Sequence, residues 1–185
     1  MSPDSKRGRR ADAARNAALL LAAARDLVAE AGNDVALDEV ARRAGVGNAT
    51  LYRHFPTRAD LLVAVYADEV AALCRRGEEL RTAPDPLDAL FTWLDAFVVH
   101  VATKRPLALA ATEGPEGRRT PLFDEWHASV NAVADYLVRR ARPALARGVT
   151  AADVLALTSG AAIVADADHA RHLVTLLRTG LAAAD

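Results

Sequence analysis

The stretch Leu37–Leu62, LDEVARRAGVGNATLYRHFPTRADLL, constrains this chain more than any other. Leu37, Val40, Ala41 and Ala44 recur at helical spacing and Gly45-Val46-Gly47 interrupts them. Leu51 and Phe55 then restore an inward face before Pro56 stops the second helix. Two short helices at a sharp turn are the grammar of a helix-turn-helix. Gly45 can take the left-handed conformation favoured at a helix C-terminus, Val46 can fill the gap between the helices, and Gly47 lets the second helix begin at once. Asn48, Ala49, Tyr52 and Arg53 share one face, opposite Leu51 and Phe55. A helix with such a face fits a DNA major groove.

Composition supports an all-α fold. Leu, Ala, Arg and Glu are good helix formers, and no Val/Ile/Thr-rich alternating run occurs. With 185 residues, 52% of them hydrophobic, the chain can bury one small domain and a modest second one. No stretch offers the roughly 18 uninterrupted apolar residues that cross a bilayer, and Asp12 and Arg15 break any signal-peptide core. The lone Cys74 cannot form an internal disulfide, so a cytoplasmic protein that does not engage membranes is expected.

The net charge of −1 conceals a mild asymmetry: residues 1–60 carry ten Lys/Arg against eight Asp/Glu, and the remainder is net negative. Lys6, Arg7, Arg9 and Arg10 fall within five residues, just ahead of an expected first helix at about Ala11–Ala31. Such a cluster is either a solvated tail or an arm that reaches the minor groove or the phosphates.

That first helix should bury Leu20, Ala23, Leu27, Val28 and Ala31 and end at Gly32. A fourth helix, Arg58 to about Leu80, turns Leu61, Leu62, Val65, Tyr66, Val70 and Leu73 inward, and Thr82-Ala83-Pro84-Asp85-Pro86 breaks the chain. Leu87–Thr103 places Leu87, Leu90, Phe91, Leu94, Phe97, Val98 and Val101 on a wide apolar stripe with Trp93 and His100 near its margin. A short helix at Arg105–Thr112 follows. Thr120-Pro121 opens the next by cap and N1 proline, with Phe123, Trp126, Val130, Val133 and Leu137 inward. Thr150-x-x-Asp153 has the form of a capping box for an eighth helix, and a ninth runs from about Asp168 to Thr179, ending at Gly180.

The segment AGVGNATLYRHFPTRADLL closely resembles the helix-turn-helix signature of the tetracycline-repressor-like (TetR-type) transcriptional regulators, most of all in Leu-Tyr-Arg-His-Phe followed by Pro-Thr-Arg. The resemblance is strongest from about Arg15 to Leu73. FVVHVATKRPL, Phe97–Leu107, resembles the subgroup whose C-terminal domain is typed after a regulator called SbtR. Two positions depart from the pattern: Ala36 stands where Ser or Thr commonly caps the second helix, and Ala49 where Gly is common. The missing cap costs about 1 kcal/mol. The resemblance implies nine helices, a DNA-binding head at 1–57 and a ligand-binding and dimerisation domain at 58–185. It implies DNA contacts from Arg7, Arg9, Arg10, Arg43, Gly47, Asn48, Ala49, Thr50, Tyr52, Arg53, His54 and Arg58. Arg53 would read a base, while Thr50 and Tyr52 hold phosphates.

His169 and His172 near Asp166 and Asp168 have a spacing that could seat a metal, but Asp at a helix start is ordinarily a cap, and neither metal nor cofactor is expected. Trp93, Phe97, His100, Glu113, Phe123, Trp126, His127 and Val130 could line a small-molecule pocket, although a Trp and a His on amphipathic helices are more often core and margin residues. No phosphate loop, GxSxG, HExxH or paired-Cys motif occurs, so no catalytic residue is assigned and an enzyme is not expected. Val154, Leu157, Ala161 and Val164, with Leu173, Leu176 and Leu177, form two apolar faces that either complete the monomer's core or meet a symmetry mate. The resemblance favours the second, a homodimer joined through a four-helix interface, which suits a palindromic double-stranded DNA operator. The expectation is a repressor released from that operator by a small-molecule ligand. An enzyme on a helical bundle and a ligand-independent DNA-organising protein are the rival classes.

Overall fold

The computed structural model describes residues 3–31, 35–112, 121–164 and 166–182, with side chains described except at 3–7, 9, 10, 31, 103–112, 121–123 and 164. Among these residues the fold is all-α. Eight helices follow in order: α1 Pro3–Ala31, α2 Leu37–Ala44, α3 Asn48–His54, α4 Arg58–Glu79, α5 Pro86–Thr112, α6 Pro121–Ala141, α7 Ala151–Val164 and α8 Ala167–Leu181. Short 3-10 turns at Leu80–Thr82 and Arg142–Ala144 follow α4 and α6. The chain divides into two compact units, one of Met1–Tyr66 with Pro106–Ala111 and one of Ala67–Arg105 with Thr112–Asp185. Among the described residues no helix is long and apolar enough to cross a membrane.

The first unit is built on α1, which packs on both α2 and α3. Leu20, Ala23, Ala24, Leu27 and Val28 of α1 are buried with Val40 and Ala41 of α2 and with Leu51 and Phe55 at α3. The α2–α3 turn is a Schellman motif: Gly45 sits at φ 65°, its N–H donates to Arg42 O at 3.3 Å, and the Val46 N–H reaches back to Ala41 O at 3.0 Å. Only glycine takes that backbone conformation without strain. Gly47 uses no such freedom. It lies at φ −65° with open space where a Cβ would be, and it serves as an N-cap lacking a side-chain acceptor.

α1 begins eight residues earlier than its apolar periodicity suggests. The cluster Lys6, Arg7, Arg9 and Arg10 therefore lies in the helix rather than in a tail or arm ahead of it. Pro3, at the first helical position, has no N–H to leave unsatisfied there. The expected stop at Gly32 lies outside the described residues.

The second unit buries Leu73 of α4, Leu90, Phe91, Trp93, Leu94, Phe97 and Val98 of α5, Leu137 and Val138 of α6, and Val154 and Val174 of the last two helices in one cluster. All six residues expected inward on α4 are buried. α5 runs unbroken from Pro86 to Thr112, merging the two helices expected there and making eight where nine were expected. Pro106 removes one hydrogen bond from this helix without ending it. Trp93 is also corrected, from margin to centre: it is fully buried, because its N–H finds an acceptor inside the core. Gly180 does not end the last helix, which continues to Leu181, whose carbonyl accepts from Ala146 N–H at 2.8 Å.

Carboxylates supply the caps. Thr150 and Asp153 form a reciprocal box, with Thr150 N–H to Asp153 Oδ2 at 2.9 Å and Asp153 N–H to Thr150 Oγ1 at 3.2 Å. Thr57 and Asp60 repeat it at the start of α4. Asp85 accepts from the N–H groups of Leu87 and Asp88 at the head of α5. At α8, Asp166 accepts from those of Asp168 and His169, so its carboxylate acts as a cap. Ala36, before α2, makes no side-chain cap bond.

Candidate nucleic-acid interface

α3 is only seven residues long and cannot persist alone. It is held by burial of Leu51, which is 0% exposed, and of Phe55 just past its end. That anchoring turns Asn48, Ala49, Tyr52 and Arg53 to solvent, with Thr50 and His54 half-buried at the edges. Tyr52 is 47% exposed, which leaves its ring and hydroxyl accessible on this face. The face therefore offers an amide, a phenol and a guanidinium at the major-groove-sized end of a helix.

α2 contributes charge whose engagement the sequence did not reveal. Arg43 Nη1 lies 2.6 Å from Glu30 Oε1 of α1, and Arg42 makes a two-pronged contact with Glu39 at 2.7 and 2.6 Å. The hydrogen bond from Arg43 holds the Glu30 carboxyl below its ordinary range, and Arg42 does the same for Glu39. Arg43 thus meets any other anion only by sharing or leaving Glu30. Arg58, the first residue of α4, is exposed, as is Gly47. The side chains of Arg7, Arg9 and Arg10 lie outside those described.

One partner of the exposed α3 face escaped sequence analysis. Asp38 Oδ1, on the second residue of α2, accepts from Asn48 Nδ2 at 3.0 Å. The signal was present in the motif itself, since a tight turn returns the start of α3 towards α2, but ten intervening residues hide the pairing from helical spacing rules.

The residues considered for a ligand pocket do not share one environment. The Trp93 ring stacks on Phe97 at 5.6 Å and 10°, and both are core residues. His100, Trp126 and Val130 are half-buried, His127 is exposed, and the side chains of Glu113 and Phe123 lie outside those described. Among the described residues no group of three or more His, Cys, Asp or Glu could hold a metal ion. Burial raises the Cys74 thiol above its ordinary range, which disfavours the thiolate.

The last two helices also divide. Val154 and Ala161 are buried within their own unit, Leu173 and Leu177 are half-buried, and the Val164 side chain lies outside those described. Leu157 at 45%, Ile163 at 53% and Leu176 at 55% exposure are the large apolar side chains turned outward there. Of the two expected alternatives, the monomer's core or a symmetry mate, Leu176 does not take the first. Ala170 and Val174 occupy the core instead, because a 3.6-residue period carries Leu176 round to the opposite side.

Residues 20–65 match the tetR family of bacterial regulatory proteins, and residues 85–183 match the SbtR-like transcriptional regulator C-terminal domain. A TetR transcription regulatory protein from Mycobacterium vanbaalenii is 33% identical, with a TM-score of 0.76 over 94% of this chain and 99% of that one. A TetR transcriptional regulator from Streptomyces coelicolor is 30% identical, with a TM-score of 0.77 over 91% and 99%. At 21% identity, a putative transcriptional regulator from Saccharomonospora viridis, solved in complex with choline, shares the fold with a TM-score of 0.67 over 91% and 98%. A comparison with curated proteins found no match.

Proposed function

Because the chain belongs to the TetR family of bacterial regulatory proteins, we propose that it is a homodimeric transcriptional repressor released from a palindromic operator by a small-molecule ligand. The observation that carries this reading is the exposed face of α3, where Asn48, Tyr52 and Arg53 stand over buried Leu51 and Phe55. Arg53 reads a base, Thr50 and Tyr52 hold phosphates, and Arg43 and Arg58 add backbone contacts. Leu157, Ile163 and Leu176 form the patch through which two copies associate, and the two-fold presents a pair of α3 helices to successive major grooves, about 34 Å apart.

The ligand occupies the second unit, near Phe97, His100, Trp126 and Val130, and Trp93 serves there as packing. Other proteins of this fold are solved with bound small molecules, choline among them. Release requires the ligand to prefer a conformation that cannot span the operator, and a hundredfold loss of DNA affinity needs about 2.7 kcal/mol of differential binding. α4 is the lever: it is a single helix, with Arg58–Tyr66 in the DNA-reading unit and Ala67–Glu79 in the other.

The test is selection of a random duplex library with the purified protein, repeated against a metabolite panel. An inverted repeat should emerge, and at least one compound should weaken its binding. Binding without sequence preference would overturn the reading in favour of a DNA-organising protein.

A further inference from the structure

The hydrogen bond from Asn48 to Asp38 does more than join two helices. A carboxylate has only acceptors, whereas a carboxamide has two N–H donors at one end and a carbonyl oxygen at the other. The 3.0 Å contact between Asn48 Nδ2 and Asp38 Oδ1 therefore fixes which end of the Asn48 amide faces α2. The NH2 group points to Asp38 with one of its protons engaged, and the carbonyl oxygen points away. What remains is one donor beside one acceptor.

That remainder matches a single purine. Adenine offers N7 as acceptor and N6–H2 as donor in the major groove, while guanine offers two acceptors, N7 and O6. An unrestrained Asn can turn its NH2 towards guanine and donate both protons. With one proton committed to Asp38, Asn48 cannot, and its carbonyl would stand against guanine O6. The backbone positions beneath the pair are also set, because the Schellman turn at Gly45 and the burial of Val40, Ala41 and Leu51 fix how α2 and α3 meet.

We propose that Asp38, outside the reading helix, is a positioning residue that holds Asn48 in the orientation that reads adenine and rejects guanine. This rests on the DNA-reading function of α3 proposed above. Asn48 lies at the N-terminal end of that helix, where helix-turn-helix proteins contact base edges.

Duplex selections with wild type, Asp38→Ala and Asn48→Ala test this, each variant first checked for an unchanged melting curve. Wild type should select adenine at one position of each half-site. Asn48→Ala should lose the preference at that position, and Asp38→Ala should lower the adenine-to-guanine ratio there by roughly tenfold while other positions keep theirs. Removing a negative charge raises affinity for all sequences alike, so the ratio isolates the positioning effect. An Asp38→Ala protein that keeps its adenine ratio within about twofold, or that relaxes a different position from Asn48→Ala, would overturn the inference while leaving the DNA-reading function intact. A wild-type protein selecting no sequence would overturn both.

Discussion

The indole N–H of Trp93 donates to the backbone carbonyl of Leu73 at 3.0 Å, in the C-terminal half of α4. In an α-helix that carbonyl is also the acceptor for the N–H of the residue four positions on, which is Gly77. A Cβ built on Gly77 would collide with Val133 Cγ1 and come within 3.2 Å of Trp93 Nε1. The glycine is therefore the notch in α4 that admits both side chains.

Gly77→Ala sets two effects against each other. Alanine gains up to about 1 kcal/mol of helix propensity, whereas overpacking costs about 1–3 kcal/mol. Val133 is stiff at χ1 and Trp93 is enclosed on all sides, so neither yields easily. The variant should be less stable by about 1–2 kcal/mol, read as a lower urea midpoint at unchanged slope. A more stable variant would show that α4 shifts freely and that the notch is not needed.

Ala36 precedes α2 with extended backbone, ψ 130°, and no side-chain acceptor for the helix's first N–H groups. Ala36→Ser supplies one and should raise stability by about 0.5–1 kcal/mol in chemical denaturation. No gain would mean that those N–H groups are already satisfied as well by water.

The Asp153 carboxyl is held below its ordinary value of 3.8 by its hydrogen bonds to the Thr150 side chain and backbone. A lowered folded-state value means that its stabilisation is fully present above the unfolded value and is lost as pH falls through the folded one. Asp153→Asn should thus be less stable than wild type near neutrality, and the gap should close on acidification below about pH 4. Melting temperatures measured from pH 7 to 3 would check this, and a gap independent of pH would remove the charge from the cap's contribution.

Arg53→Ala should weaken binding to the selected operator by about 1–3 kcal/mol and relax base choice at one position per half-site. Fluorescence anisotropy on the operator and on single-base variants would measure both. Uniform weakening over all sequences would reassign Arg53 from base to phosphate.

Leu176→Glu places a charge in the patch proposed above for association, among the exposed Leu157, Ile163 and Leu176. If that patch joins two copies, sedimentation should shift from dimer to monomer, and operator affinity should fall because the two half-sites are no longer engaged together. An unchanged dimer would exclude this face.

Much of this was legible in the sequence because it is local. The left-handed Gly45, the inward Leu51 and Phe55, the outward Asn48, Tyr52 and Arg53, and the Thr150–Asp153 box each depend on residues within about one or two turns, where backbone geometry dictates which side chains meet. The inward stripe of α4 follows from the same 3.6-residue period. What the tertiary structure alone decided depends on partners far away in the chain. Trp93 moved from margin to centre because a glycine sixteen residues earlier opens space for it and a carbonyl twenty residues earlier accepts its proton. Of the apolar faces on the last two helices, Val154, Ala170 and Val174 fill the core while Leu157 and Leu176 stay outside it, a choice their periodicity had left open. Asp38 reaches Asn48, and Glu30 reaches Arg43, only once the helices have packed. Periodicity shows that a face is apolar or polar, but what that face meets is settled by volume and hydrogen-bond complementarity between segments, a property of the packed chain and of no single stretch.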